Sequence, residues 1–149
     1  MRERRMARRL ALDVLYEADI RAIAPSAALA ARGEGDWVVA GSDDGGAPDE
    51  SAAPDAVAYA RRLVAGVEDH LAEADALIAR YAEDWAVDRM PVVDRNVVRL
   101  ALFELLWSDG VPVAVAINEA VELAKSLSTD DSGRFVNGLL GRIVERELR

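Results

Sequence analysis

Residues 113–143 read VAVAINEAVELAKSLSTDDSGRFVNGLLGRI, and their spacing decides the fold class. Val113, Ile117, Val121 and the Leu123-Ala124 pair recur at the intervals that gather apolar side chains on one face of an α-helix. The Ser-Thr-Asp-Asp-Ser run at 128–132 closes that helix, because short polar side chains accept hydrogen bonds from the free amides of a helix N-terminus. A last helix from about Ser132 to Leu148 is therefore expected.

The same period extends upstream. Pro91 opens PVVDRNVVRLALFELLWSDG, in which Val93, Val97, Leu100, Ala101 and Leu105 mark successive turns. Gly110 and Pro112 supply the stop and restart, which gives a helix of about 17 residues. Before it, Pro54 suits a first helical position for a region running to Trp85. Val57, Leu63, Val64, Val67, Leu71, Leu77 and Ile78 are its core candidates, and Gly66 is where it would loosen or break. At the start, RRMARRLALDVLYEADIRAI places Met6, Leu10, Val14 and Ala18 in a stripe with Leu15 beside it, ended by Pro25 and Ser26. Residues 26–32 add a short second helix through Leu29. There is no strand or hairpin pattern and no repeat at solenoid periods, so the expectation is an all-α fold, a compact bundle of about five to seven helices.

Composition agrees. The 149 residues are 52% hydrophobic but 5% aromatic, with 28 alanines, a mixture that favours helices over a β-sandwich. There is no cysteine and one histidine, His70, which excludes disulfide scaffolds, thiolate zinc sites, cysteine nucleophiles and multi-histidine metal clusters. No window approaches the length of a membrane span and no signal-type segment is present, so the sequence reads as a soluble cytoplasmic protein. Length predicts a single domain over 1–149. It is interrupted at 33–55 by GEGDWVVAGSDDGGAPDESAAPD, which carries seven acids and no base and reads as a mobile acidic linker with Trp37-Val38-Val39 as its anchor.

Charge is uneven. The net charge of −9 conceals residues 1–9, MRERRMARR, where five arginines face one glutamate. Arg4, Arg5, Arg8 and Arg9 form a guanidinium patch suited to a run of phosphates, and Tyr16, two turns beyond Arg9, offers a ring for base stacking. A solvated helix end fits the same pattern. A second candidate is 128–138, where Phe135 adjoins Arg134 and follows Asp131 by four residues; the alternative makes Asp131 the helix cap and buries Phe135. His70 among Glu68, Asp69 and Glu73 reads as a solvated side chain, and Trp85 as an anchor beside Glu83 and Asp84. Glu68, Asp69, Glu73, Asp75, Glu83, Asp84 and Asp88 either form a face for a basic partner or are simply solvated. Neither a phosphate-binding glycine loop nor a nucleophile elbow is present, and no catalytic, metal or cofactor site is expected.

RRMARRLALDVLYEAD, DRNVVRLALFELL and above all VAINEAVELAKSLSTDDSGRFVNGLLGRI (115–143) resemble the NusB family of transcription antitermination factors, over much of the chain outside the acidic insert. The resemblance implies two small helical sub-bundles and a non-enzymatic adaptor in the RNA polymerase antitermination complex of ribosomal RNA operons. Such a protein pairs with NusE, a ribosomal small-subunit protein, and binds the single-stranded boxA element. Arg4, Arg5 and Arg8 match the arginine-rich motif, Tyr16 its tyrosine, and Asp131, Arg134 and Phe135 the second RNA-facing segment, which favours the RNA-facing reading of Phe135. About three phosphate contacts on single-stranded RNA give a logarithmic salt slope of roughly −2. Met6 replaces an arginine of some relatives and Leu127 a phenylalanine, which would weaken RNA binding without NusE. The longer acidic linker is expected to compete with RNA for the arginine helix, so deleting 34–53 should alter boxA affinity at low salt. Alternatives are a structural homo-oligomer, such as a homodimer covering the arginine helix with an acidic face, or an RNA-binding appendage of an RNA-modifying enzyme.

Overall fold

The structure, a computed structural model, describes residues 2–33, 37–39, 50–83 and 85–148. These residues form helices α1 (Arg2–Arg21), α2 (Pro25–Arg32), α3 (Pro54–Asp69), α4 (Leu71–Tyr81), α5 (Val92–Leu102), α6 (Val113–Leu127) and α7 (Asp130–Glu147). Two short strands, β1 (Val38–Val39) and β2 (Glu50–Ser51), complete the set together with a 3-10 turn at Val87–Arg89 and a π-helical turn at Phe103–Trp107. The class is all-α, as the periodicity predicts. The contacts cluster into two units, one ending at Ala65 and the other beginning at Gly66.

In the first unit, the stripe on α1 is buried at Leu10, Val14, Leu15 and Ala18, joined by Ala7, Ala11 and Leu12. Pro25 does not end α1. The helix stops at Arg21, Ala22 takes a positive φ of 55°, and Pro25 instead occupies the first turn of α2. The acidic linker is anchored where expected, because Trp37 is buried and its indole nitrogen donates to the Gly33 carbonyl at 3.2 Å. The guanidinium of Arg61 lies 5.2 Å from the Trp37 ring and also donates to that carbonyl, at 2.9 Å. Contrary to the expectation of no strand, β1 and β2 pair antiparallel, Val38 with Ser51 and Val39 with Glu50. Two residues per strand are too few to show alternation, although the β-branched Val-Val pair suits the role. The remaining linker residues, 34–36 and 40–49, lie outside the described residues, and with them the expectation of mobility.

The expected long helix runs through Gly66, the first residue of the second unit, unbroken and is interrupted only at His70, giving α3 and α4. Gly66 serves a close approach: a Cβ there would lie 2.1 Å from Cε1 of Phe103. His70 is not the solvated side chain expected from sequence. Its ring stacks on Trp107, with centroids 4.4 Å apart and planes 3° from parallel, while Nδ1 lies 3.3 Å from Glu73. The helix from Pro91 also departs from uniformity, since α5 passes into the π turn carrying both Phe103 and Trp107. A π turn widens the helix and shifts the register of the residues beyond it. Asp75 is not part of a free acidic face, because Arg99 grips it through Nε and Nη2 at 2.7 and 2.8 Å, tying α4 to α5. Asp84 lies outside the described residues. No helix among the described residues is long and apolar enough to cross a membrane.

Candidate nucleic-acid interface

The seven candidate residues divide between the two units: Arg4, Arg5, Arg8 and Tyr16 in the first, Asp131, Arg134 and Phe135 in the second. Each set forms its own surface.

In the first unit, Arg4 and Arg5 are exposed in the first turns of α1. A helix N-terminus already carries partial positive charge from its unpaired amides, so arginines placed there add to an unfavourable field that only Glu3 relieves within the first turn. The result is a concentration of positive charge at this end of α1. Arg8 departs from the sequence expectation: it is 5% exposed and turned inward, so the exposed patch is narrower than the motif. Arg9 is half-buried and pairs with Asp13 at 3.8 Å. Burial raises the Asp13 carboxyl above its ordinary pKa, against the pull of Arg9 and Arg32. Tyr16 is 42% exposed, two turns along the same helix. Sequence reasoning missed that the Arg4 guanidinium sits 3.9 Å over the ring of Tyr59 on α3, with Arg62 at 5.8 Å from the same ring. These residues line a groove of about 290 Å³ with Glu3, Asp55 and Ala58. The available signal was the spacing of Tyr59 and Arg62, three apart and so on one helix face.

In the second unit, α7 begins two residues earlier than expected. Thr129, not Asp131, is the cap, its Oγ1 accepting from the Ser132 amide at 3.0 Å. Asp131 is exposed and pairs instead with Arg134, one turn later on the same face. Phe135 is half-buried rather than buried, and its ring lies 5.1 Å from that of Trp85, tilted by 51°. Gly133 lets α6 and α7 close together, since a Cβ there would meet Cγ of Lys125 at 2.4 Å. Lys125, Asp130, Arg134 and Asn137 line the adjoining groove of about 330 Å³.

The start of α7 is pinned from beneath by a residue that sequence reading passes over. Asp94 on α5 is 1% exposed and accepts a hydrogen bond from Ser132 Oγ at 3.0 Å, while Ser128 and Ser132 hydroxyls lie 2.9 Å apart. Its second oxygen, Oδ1, has no hydrogen-bond partner among the described residues. Burial pushes the Asp94 pKa up, and the Ser132 and Ser128 hydroxyls only partly oppose this. The folded chain therefore holds this proton to higher pH than the unfolded chain. Its stabilising contribution is complete below the ordinary value of 3.8 and is lost as pH rises through the elevated one. In melts across that window, wild type is expected to lose stability relative to Asp94→Asn as pH rises; parallel curves would contradict the buried carboxyl.

Among the described residues, no group of three or more His, Asp or Glu side chains is arranged to hold a metal ion. The NusB family model matches residues 5–145, nearly the whole chain. A transcription antitermination protein NusB from Salinispora tropica is 50% identical over 149 residues, covering all of both chains. The chain belongs to the NusB family. Among solved structures, T. maritima NusB superposes with a TM-score of 0.77 at 35% identity, covering 96% of this chain and 91% of that one. A complex of the antitermination factors NusB and NusE with double-stranded RNA matches with a TM-score of 0.76 at 29% identity, covering 97% and 98%. In this NusB-family chain, the block at 115–143 forms α6 and most of α7, DRNVVRLALFELL forms most of α5 and its π turn, and the arginine-rich block lies within α1.

Proposed function

We propose that this chain is a non-enzymatic, RNA-binding transcription antitermination factor. It pairs with NusE and binds boxA-type single-stranded RNA in the RNA polymerase antitermination complex, acting in the cytoplasm on ribosomal RNA transcription. The observation that carries the reading is a full-length relative named as a transcription antitermination protein, combined with exposed Arg4 and Arg5 at the positive end of α1. A NusB relative solved with NusE and double-stranded RNA supports NusE and RNA as partners.

The chemistry rests on the two surfaces. Arg4 and Arg5 attract phosphates without reading sequence, as a point-charge patch does. Tyr16 and Phe135 supply π-faces for unpaired bases, and Arg134 a further phosphate contact beside Phe135. The exposed Asp131–Arg134 pair is worth little by itself, so its guanidinium can turn to a phosphate at small cost. Arg8, being buried, acts by holding α1 rather than by meeting solvent-borne phosphate.

Sedimentation velocity with labelled boxA RNA tests the pairing. The chain, NusE and RNA should travel as one species at two salt concentrations. A homodimer that excludes both partners would overturn the reading.

The acidic linker gives a second test. Deleting 34–53 would remove the buried Trp37, so neutralising Asp43, Asp44 and Asp49 to Asn is the cleaner variant. If the linker competes for the arginine helix, boxA affinity at low salt rises severalfold on neutralisation. Unchanged affinity would dismiss the competition.

A further inference from the structure

Trp85 reads from sequence as an anchor, yet the residue is 42% exposed, and Tyr16 is the other exposed large aromatic among the described residues. An indole left this open forfeits apolar burial that a structural anchor would take. The segment that follows Trp85 is held in place. Arg95 Nη1 donates to the carbonyls of Val87 and Asp88, each at 3.4 Å, Arg89 and Met90 close the 3-10 turn, and the Met90 side chain is buried. The exposed residue therefore stands immediately before a built segment. The Trp85 ring lies against Phe135 at 5.1 Å with the planes 51° apart, a tilt that leaves indole surface uncovered. The exposed guanidinium of Arg134 belongs to the residue adjoining Phe135 in sequence.

We propose that Trp85 is a base-stacking residue: together with Phe135 it forms an aromatic platform for one unpaired base of single-stranded RNA, with Arg134 meeting a flanking phosphate. The inference rests on the RNA-binding reading above. An RNA base fits this place because the platform needs only a π-face and tolerates the carboxylates of Glu83, Asp88 and Asp131 nearby in the chain, while the one charge required by the ligand, on phosphate, is met by arginine. The Asp131–Arg134 pair keeps that guanidinium on the first turns of α7 until it is used.

The test is fluorescence anisotropy of a labelled boxA-type RNA with wild type, Trp85→Leu, Trp85→Phe and Phe135→Leu. The same titrations are run on RNAs carrying one abasic nucleotide, moved position by position, and melting curves confirm that each variant is folded. Stacking predicts that Trp85→Leu weakens binding about tenfold and that Trp85→Phe keeps most of the affinity. The salt slope stays unchanged, because no phosphate contact is lost. At one abasic position, wild type and Trp85→Leu bind alike. A merely structural role would instead change the slope by displacing Arg134, and would leave the wild-type advantage intact at every abasic position; either result overturns the proposal. If Trp85→Leu binds RNA like wild type but loses NusE, the platform is a protein contact. If wild type and Arg4→Gln/Arg5→Gln alike show no RNA binding, the RNA-binding reading itself has failed.

Discussion

Replacing Gly66 by valine lowers the melting temperature by roughly 10 °C. The reason is geometric. A Cβ at Gly66 falls 2.1, 2.3 and 2.6 Å from three carbons of the Phe103 ring, closer than side-chain atoms tolerate. The ring cannot simply withdraw, because Phe103 belongs to the π turn whose Trp107 stacks on His70, and its own ring lies 6.3 Å from that imidazole. Overpacking of this kind costs about 3 kcal/mol, more than the roughly 1 kcal/mol that even alanine, the best helix former, would gain by removing glycine from a helix interior. Removing the obstacle should reverse the balance. In a Phe103→Ala background, Gly66→Val should cost less than about 1 kcal/mol, and thermal melts of the four chains measure the coupling directly. A Gly66→Val chain that melts with wild type would contradict the placement of Phe103.

The second large effect is on RNA binding. Substituting Arg4 and Arg5 together by glutamine removes two charges from the positive end of α1, including the guanidinium over Tyr59, while keeping most of each side-chain stem. With three exposed guanidiniums engaged, at Arg4, Arg5 and Arg134, the logarithmic salt slope for single-stranded RNA is roughly −2, so affinity falls about twentyfold between 50 and 200 mM salt. The double variant retains one contact and should lose only about threefold over the same range. Equal slopes for the two proteins, measured by anisotropy, would show that RNA does not touch this end of α1. Arg8→Gln, in contrast, should act through stability, because the side chain is inside.

What can be read from sequence depends on the range of the interactions involved. Helices α6 and α7 are legible because their signals are local: the period of Val113, Ile117 and Val121, and a capping run that places the junction within two residues. The exposed Arg4, Arg5 and Tyr16 are legible for the same reason, since all lie on one regular helix. Arg8 is not, because the wheel position of an arginine does not reveal what packs over it. Gly66 reads as a weak point in a helix, whereas its role is set by a ring 37 positions further along the chain, which no local pattern encodes. His70 looks solvated because its neighbours in sequence are acids, while its neighbour in space is Trp107. Asp94 and Ser132 likewise read as ordinary polar residues until the fold brings them to 3.0 Å across 38 positions. Family resemblance reaches Phe135 where physical reading leaves its exposure open, yet neither reaches Trp85, whose closeness to Phe135 is a tertiary contact.

The most direct measurement is fluorescence anisotropy of a labelled boxA RNA and a scrambled control, titrated with this chain alone and with NusE at two salt concentrations. The account predicts tighter binding to boxA than to the control, strengthened by NusE and weakened by salt. If boxA and scrambled RNA bind indistinguishably with NusE present, or neither binds at all, the claim that this chain is a boxA-directed antitermination factor is contradicted.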